Sequence, residues 1–158
     1  MKTYNRKSAI EYAREWALGA NPQYYHFSGI GGDCTNFISQ CLLAGGGLMN
    51  YDRYYGWFYD SVLSRSPSWT SVEYLKRFLL RSGGVGPIGE LSSINRLVEG
   101  DIIQLRQNPT HFNHTVIISR INRGRIYVCA HSNDALDKPL DEYFYNELQG
   151  IHIKGIEV

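Results

Sequence analysis

The kind of hydrophobic periodicity changes midway along this chain, and that change limits the fold more than any other feature. Before residue 82, apolar residues recur at helical spacing. From residue 101 onward they fall in short runs rich in β-branched and aromatic side chains. In RKSAIEYAREWAL (6–18), Ala9, Ile10, Ala13, Trp16 and Ala17 share one face, Gly19 supplies a stop and Asn21-Pro22 a turn. A second helix spans 34–44, with Phe37, Ile38, Cys41 and Leu42 on its apolar face, Asp33 as its N-cap and Gly45-Gly46-Gly47 as its end. Thr70 and Glu73 have capping-box spacing ahead of a third helix over 71–81. DIIQL (101–105), HTVIISRI (114–121) and RIYVCAHS (125–132) read as strands, the last two joined by a hairpin turn at Asn122-Arg123-Gly124, and GIHIKGIEV (150–158) reads as a final strand. The stretches 22–30, 50–69 and 82–89 read as loops. Helices followed by strands predict an α+β fold, an antiparallel sheet with helices packed at one side. No repeat or linker divides residues 1–158, which are expected to form one domain.

Composition narrows the function classes. The chain is 43% hydrophobic and 20% charged, as globular domains are. A net charge of +1 offers no basic face for nucleic acid, and no apolar run is long enough to span a bilayer. The N-terminus, MKTYNRKSAIEYAREW, lacks the apolar centre of a signal peptide. The expectation is either a protein that does not use the general secretory route or a domain excised from a larger protein.

There are three cysteines, Cys34, Cys41 and Cys129, an odd count without framework spacing. On one helix Cys34 and Cys41 are separated by about 10.5 Å of axial rise, too far for a disulfide. Free thiols are expected. No CxxC pair points to zinc. Cys41 and Cys129 fall at core positions. Cys34 differs, because a cysteine in the first turn of a helix meets the positive end of the dipole and free N–H groups, both of which favour a thiolate. A thiolate attacking a carbonyl carbon needs an imidazole to carry protons and a polar group to orient that imidazole.

The hairpin supplies candidates. His114 opens one strand; His131 and Asn133, of equal parity, follow the other. A turn at Asn122-Arg123 sets His114 opposite His131, a turn at Arg123-Gly124 sets it opposite Asn133, and a three-residue turn gives an intermediate register. His111, His114 and His131 form an alternative metal cluster, though His-x-x-His on a strand lacks the one-face geometry of helical zinc motifs. His26 and His152 have no evident partners. Tyr54, Tyr55, Trp57, Phe58 and Trp69 read either as a plug on one edge of the core or as the wall of a substrate groove.

GGDCTNFISQCLLAGG resembles the signature of the putative amidase domain family, which belongs with NlpC/P60 and CHAP proteins among the papain-like cysteine hydrolases. YNRKSAIEYAREWALGANPQYYHF, SWTSVEYLKRFLL, EGDIIQL, HTVIIS and AHSND extend the resemblance along most of the chain. The resemblance implies a papain-like fold with Cys34 as nucleophile and His114 as base. His131 would hold the third polar position, Asn133 would assist, and Asp33 would cap the helix. Relatives often carry Gly before the histidine where this chain has Asn113, which keeps His111 as a second candidate base. The Cys34 N–H is one oxyanion donor, with Gln23, Tyr24 and Tyr25 as candidates for another.

The expected reaction is amide hydrolysis through a thioester, without metal or organic cofactor. The resemblance points to bacterial cell-wall peptides as substrate, cleaved by an L-alanine amidase or a peptide-stem endopeptidase. Tyr24, Tyr25, Trp57 and Trp69 are the substrate-binding candidates. The protein is expected as a monomer or as part of a larger multidomain chain. Two rivals remain: a toxin-type protein deamidase or acyl transferase using the same pair, and a catalytically silent wall-binding module.

Overall fold

Asn5 begins the first helix by accepting a hydrogen bond from the Ser8 N–H at 3.0 Å, a side-chain N-cap. The computed structural model describes residues 1–158. From Asn5 runs α1, Arg6–Trp16, which buries Ala9, Ile10 and Ala13. α2, Asp33–Ala44, is buried along most of its length. A two-stranded ribbon, β1 (Tyr59–Ser61) and β2 (Ser64–Arg65), leads into α3 (Pro67–Thr70) and α4 (Val72–Leu79). The strands β3 (Gly86–Ser92), β4 (Ile102–Arg106), β5 (His114–Asn122), β6 (Arg125–Ala130), β7 (Ala135–Pro139) and β8 (Glu147–Glu157) form one six-stranded sheet in the order β3-β8-β4-β5-β6-β7. Every pairing in it is antiparallel. The α+β architecture with helices against an antiparallel sheet is therefore observed.

Both faces of the sheet are covered, which the strand pattern explains. Ile102, Ile117, Cys129, Ile151 and Ile153 point to α1 and α2. The alternate residues Ile103, Leu105, Val116, Ile118 and Val128 form a second apolar cluster with Leu97 and Leu140 from short connecting segments. Near-continuous apolar runs such as VII in β5 follow from this two-sided burial.

Local details depart from the sequence reading. The stretch 50–69 is not one loop: it holds β1, β2 and most of α3. β3 begins inside the supposed loop 82–89, and β7 was not foreseen. α4 starts one residue later than the capping-box reading implies, because Ser71, not Thr70, accepts the Tyr74 N–H at 3.2 Å. Trp57 and Trp69 lie in the core rather than on a groove. Both are fully buried, their rings are 4.8 Å apart, and each indole N–H bonds to α2, Trp57 to Ser39 Oγ and Trp69 to Asn36 Oδ1. A buried Trp needs a partner for its N–H, and α2 supplies polar side chains for both.

Candidate functional site

Gly32 forms the start of α2, with φ of 92° and no side-chain cap. Glycine is required there twice over: the backbone is left-handed, and a Cβ would meet the Thr70 carbonyl oxygen at 3.0 Å. The Asn36 N–H closes the first helical bond on Gly32 O, so the N–H groups of Asp33, Cys34 and Thr35 lie outside the helical ladder.

Asp33 is not the N-cap. Its buried carboxylate is a hub: Oδ1 accepts the Phe27 N–H at 2.9 Å and the Asn36 amide at 3.2 Å, and Oδ2 accepts from His131 Nδ1 at 2.8 Å. His26 Nε2 approaches the same Oδ2 to 3.1 Å. His131 spends its second nitrogen on the Trp16 carbonyl, 2.7 Å away, and stacks on Phe37 at 4.1 Å. Burial alone would push the His131 pKa down and that of Asp33 up. The hydrogen bond between them reverses both shifts, helped by Trp16 O on one side and by Phe27 and Asn36 on the other. The group ties together the end of α1, the head of α2 and the chain after β6.

Cys34 follows directly. Its Sγ lies 3.7 Å from Thr35 Oγ1 and 4.0 Å from the Asn113 carbonyl oxygen. Burial pushes the thiol pKa up, and the Asp33 charge adds to this. The N–H of Thr115 and the hydroxyl and N–H of Thr35 pull the other way without overcoming it. The helix start therefore does not bring the thiol pKa below its ordinary value, contrary to the expectation from sequence: desolvation outweighs the hydrogen bonds from Thr115 and Thr35. Cys41 and Cys129 are fully buried, and all three thiols are free.

Asn113 and Thr115 flank His114, so Sγ rests against the main chain on both sides of that residue. The edge of β5 is open there, because β6 ends at Ala130. The His114 imidazole itself leaves β5 on the face of Leu105, its cross-strand neighbour, with its ring 6.0 Å from that of Tyr143. Burial, with the nearby Lys138 charge, lowers its pKa to about 4. No hydrogen bond joins it to Cys34.

The hairpin register explains why His131 and Asn133 do not orient His114. The turn is Arg123-Gly124, with both residues at positive φ and Asn122 paired to Arg125. A bulge between Ile118 and Arg120 then shifts the pairing, and β6 ends before reaching the level of His114. His131 turns to Asp33 instead, and Asn133 is an exposed turn residue with φ of 73°. The metal reading of His111, His114 and His131 also fails. His111 sits on an exposed loop bonded to Thr110 and Asn108, apart from the other two.

A cleft of about 590 Å³ opens beside this region, lined by Ser71, Lys76, Gln104, His111, Asn113 and Gln149 among others. A polar chain runs from it toward Cys34: Lys76 donates to Gln149 at 3.0 Å, Gln149 to Gln104 at 2.8 Å, Gln104 to Thr115 Oγ1 at 3.4 Å, and Thr115 meets Thr35 at 3.0 Å. Sequence reasoning passed over these residues, although Thr35 and Thr115 stand beside the two singled out. Tyr24 packs on Tyr59 and Trp69, and the Tyr25 N–H is taken by Tyr59 Oη at 2.8 Å, which removes it as an oxyanion donor. Tyr54 and Tyr55 are exposed.

Comparisons with known proteins agree with the sequence motifs. The uncharacterized protein YhbB of Bacillus subtilis (strain 168) is 36% identical over 126 residues, covering 78% of this chain and 39% of its own. The uncharacterized protein YjcM of the same organism is 27% identical over 147 residues, 88% of this chain and 33% of its own. The chain thus spans between a third and two fifths of these curated relatives. No solved structure matches. No helix is long and apolar enough to cross a membrane. The family model described as "Putative amidase domain" matches residues 3–154, nearly the whole chain, and the protein belongs to that family.

Proposed function

We propose that this domain hydrolyses amide bonds through a thioester on Cys34, with His114 carrying the proton, in a papain-like arrangement related to NlpC/P60 and CHAP hydrolases. The observation that carries the reading is the position of Sγ. It lies at the head of α2, against the Asn113 carbonyl and Thr115 N–H that flank His114, at a strand edge free of β6 and next to the cleft. A thiol with a raised pKa needs a base. His114 is neutral at pH 7 and has a free ring lone pair, but with pKa about 4 in its buried position it is a weak base, and it gains strength only on leaving that position for the wetter strand edge. The step requires the main chain at the start of β5 to turn so that the His114 ring leaves the Leu105 face and meets Sγ at the open strand edge. The thiol proton passes to the imidazole as sulfur bonds to the carbonyl carbon. The same proton goes to the amine as the C–N bond breaks. Water then gives one proton to His114 and its hydroxide to the thioester carbon. The C–S bond breaks, His114 returns the proton to sulfur to restore the thiol, and the released carboxylic acid ionises to a carboxylate in water. The free N–H of Cys34 faces the developing oxyanion.

The substrate class we assign is bacterial cell-wall peptide, cleaved at the muramoyl–L-alanine amide or within the peptide stem. Digestion of purified peptidoglycan, with new ends identified by mass spectrometry, tests this. The wild-type protein should release new amine and carboxylate ends, and Cys34→Ala none. Release by Cys34→Ala refutes the cysteine mechanism. Intact wall fragments with glutamine deamidation or crosslinking on added proteins would instead assign a protein deamidase or acyl transferase. Tight wall binding without cleavage would assign a binding module.

A further inference from the structure

We propose that His26, Asp33 and His131 form a binding site for a divalent transition-metal ion of the zinc class, one residue from Cys34 and independent of the hydrolase reading. Their ligand atoms lie within 4.8 Å of one another. Asp33 Oδ2 is 2.8 Å from His131 Nδ1 and 3.1 Å from His26 Nε2. Ligands about 2.0–2.1 Å from a zinc ion in tetrahedral geometry stand roughly 3.3 Å apart, so each imidazole nitrogen need move only a few tenths of an ångström from Asp33 Oδ2, with the two nitrogens, inside 4.8 Å of each other, settling to the same spacing.

The surroundings are those that a metal site requires. The Trp16 carbonyl accepts from His131 Nε2 at 2.7 Å, fixing the ring so that Nδ1 is the nitrogen turned to the centre. The Phe27 N–H and the Asn36 amide hold Asp33 Oδ1, leaving Oδ2 as the free ligand atom. The ring of His131 is locked against Phe37. Two of the three ligands are thus buried and oriented by outer partners. The third, His26, has a side chain 44% exposed, which gives an ion its access route and leaves coordination positions for water. Two imidazoles and one carboxylate, with no thiolate, suit zinc and its first-row neighbours rather than calcium or magnesium. The ion replaces the proton that His131 Nδ1 shares with Asp33 and joins His26, on the segment before α2, to the two buried ligands.

Titration of the purified full chain with cobalt(II), as a spectroscopic stand-in, and with zinc chloride by calorimetry tests the site. Wild type and Cys34→Ala should both bind one ion, with a visible cobalt spectrum and a raised melting temperature. His26→Ala and His26→Gln, at a half-exposed position that leaves the fold intact by circular dichroism, should bind at least about tenfold more weakly. His111→Ala should match wild type. Equal affinity in the His26 variants overturns the proposal, as does loss of binding in Cys34→Ala alone or the absence of any binding to wild type. The last result would leave the three residues as a purely structural ion pair.

Discussion

His131 and Asp33 meet at 2.8 Å across 98 residues of sequence, and neither side chain is more than 3% exposed. The pair closes the chain after β6 onto the head of α2. A buried ion pair with one member removed leaves an uncompensated charge, which costs about 3–5 kcal/mol. Asp33→Ala is therefore expected to lower unfolding stability by about 3 kcal/mol or more at pH 7, measured by chemical denaturation. A loss under about 1 kcal/mol would show that the pair contributes no more than a surface contact.

The thiol of Cys34 should behave as a shielded group. Because burial raises its pKa, alkylation by iodoacetamide is expected to be slow at neutral pH. The rate should keep rising beyond the pH at which an exposed thiol has levelled off. A fast reaction at pH 6–7 in the free protein would refute this. Cys34→Ser keeps the volume and should fold normally while losing nearly all amide hydrolysis.

His114 links stability to pH. Its folded pKa is depressed to about 4, against about 6.5 in an unfolded chain, so between these values the unfolded state binds the extra proton. Stability should fall as the pH drops from about 6.5 to 4, by up to about 3 kcal/mol, and should be insensitive to this group above pH 7. His114→Asn should flatten that slope. Because His131, with a raised pKa, adds stability as the pH falls over part of the same range, the test is the difference between the two proteins: identical profiles for wild type and His114→Asn between pH 7 and 5 would contradict the burial of His114.

The aromatic residues sort by burial. Trp69→Ala removes a fully buried ring and its bond to Asn36, for an expected loss of about 3–5 kcal/mol. Tyr55→Ala, at 80% exposure, should change stability by no more than about 0.5 kcal/mol. On the proposed function, lower turnover in Tyr55→Ala would place Tyr55 on the substrate surface, and unchanged turnover would leave it outside.

Helical spacing with its caps and stops places α1, α2 and α4, and β-branched runs with a hairpin turn and an alternating end place β4, β5, β6 and β8, because each buries an apolar face against the core. β7 escaped notice because ALDKP buries little: only Ala135 in it is buried. The two tryptophans were ambiguous, since an aromatic run without clean period fits a core plug as well as a groove. The placement of Cys34 at a helix start was legible from Gly-Gly-Asp-Cys. The partner of His131 was not, since pairing by strand parity assumes an unbroken ladder, and the side chain instead follows the chain beyond the last strand pair. Asp33 looked like a cap because caps are short polar residues; that its carboxylate gathers two imidazoles depends on contacts remote in sequence.

Ser119 sits in the bulge, its hydroxyl bonded to Asp137 Oδ1 at 2.5 Å and its carbonyl to Arg14 at 3.0 Å. Ile118 and Ile121 pack on the same side although three residues apart, which an unbroken strand forbids. Excising Ser119 while keeping the hairpin tip would turn the first half of β5 inside out. Thr115 would be swung away from α2 and His114 toward it, and Val116 and Ile118 would be forced against the helices. This one extra residue therefore decides which way every side chain next to the sulfur looks.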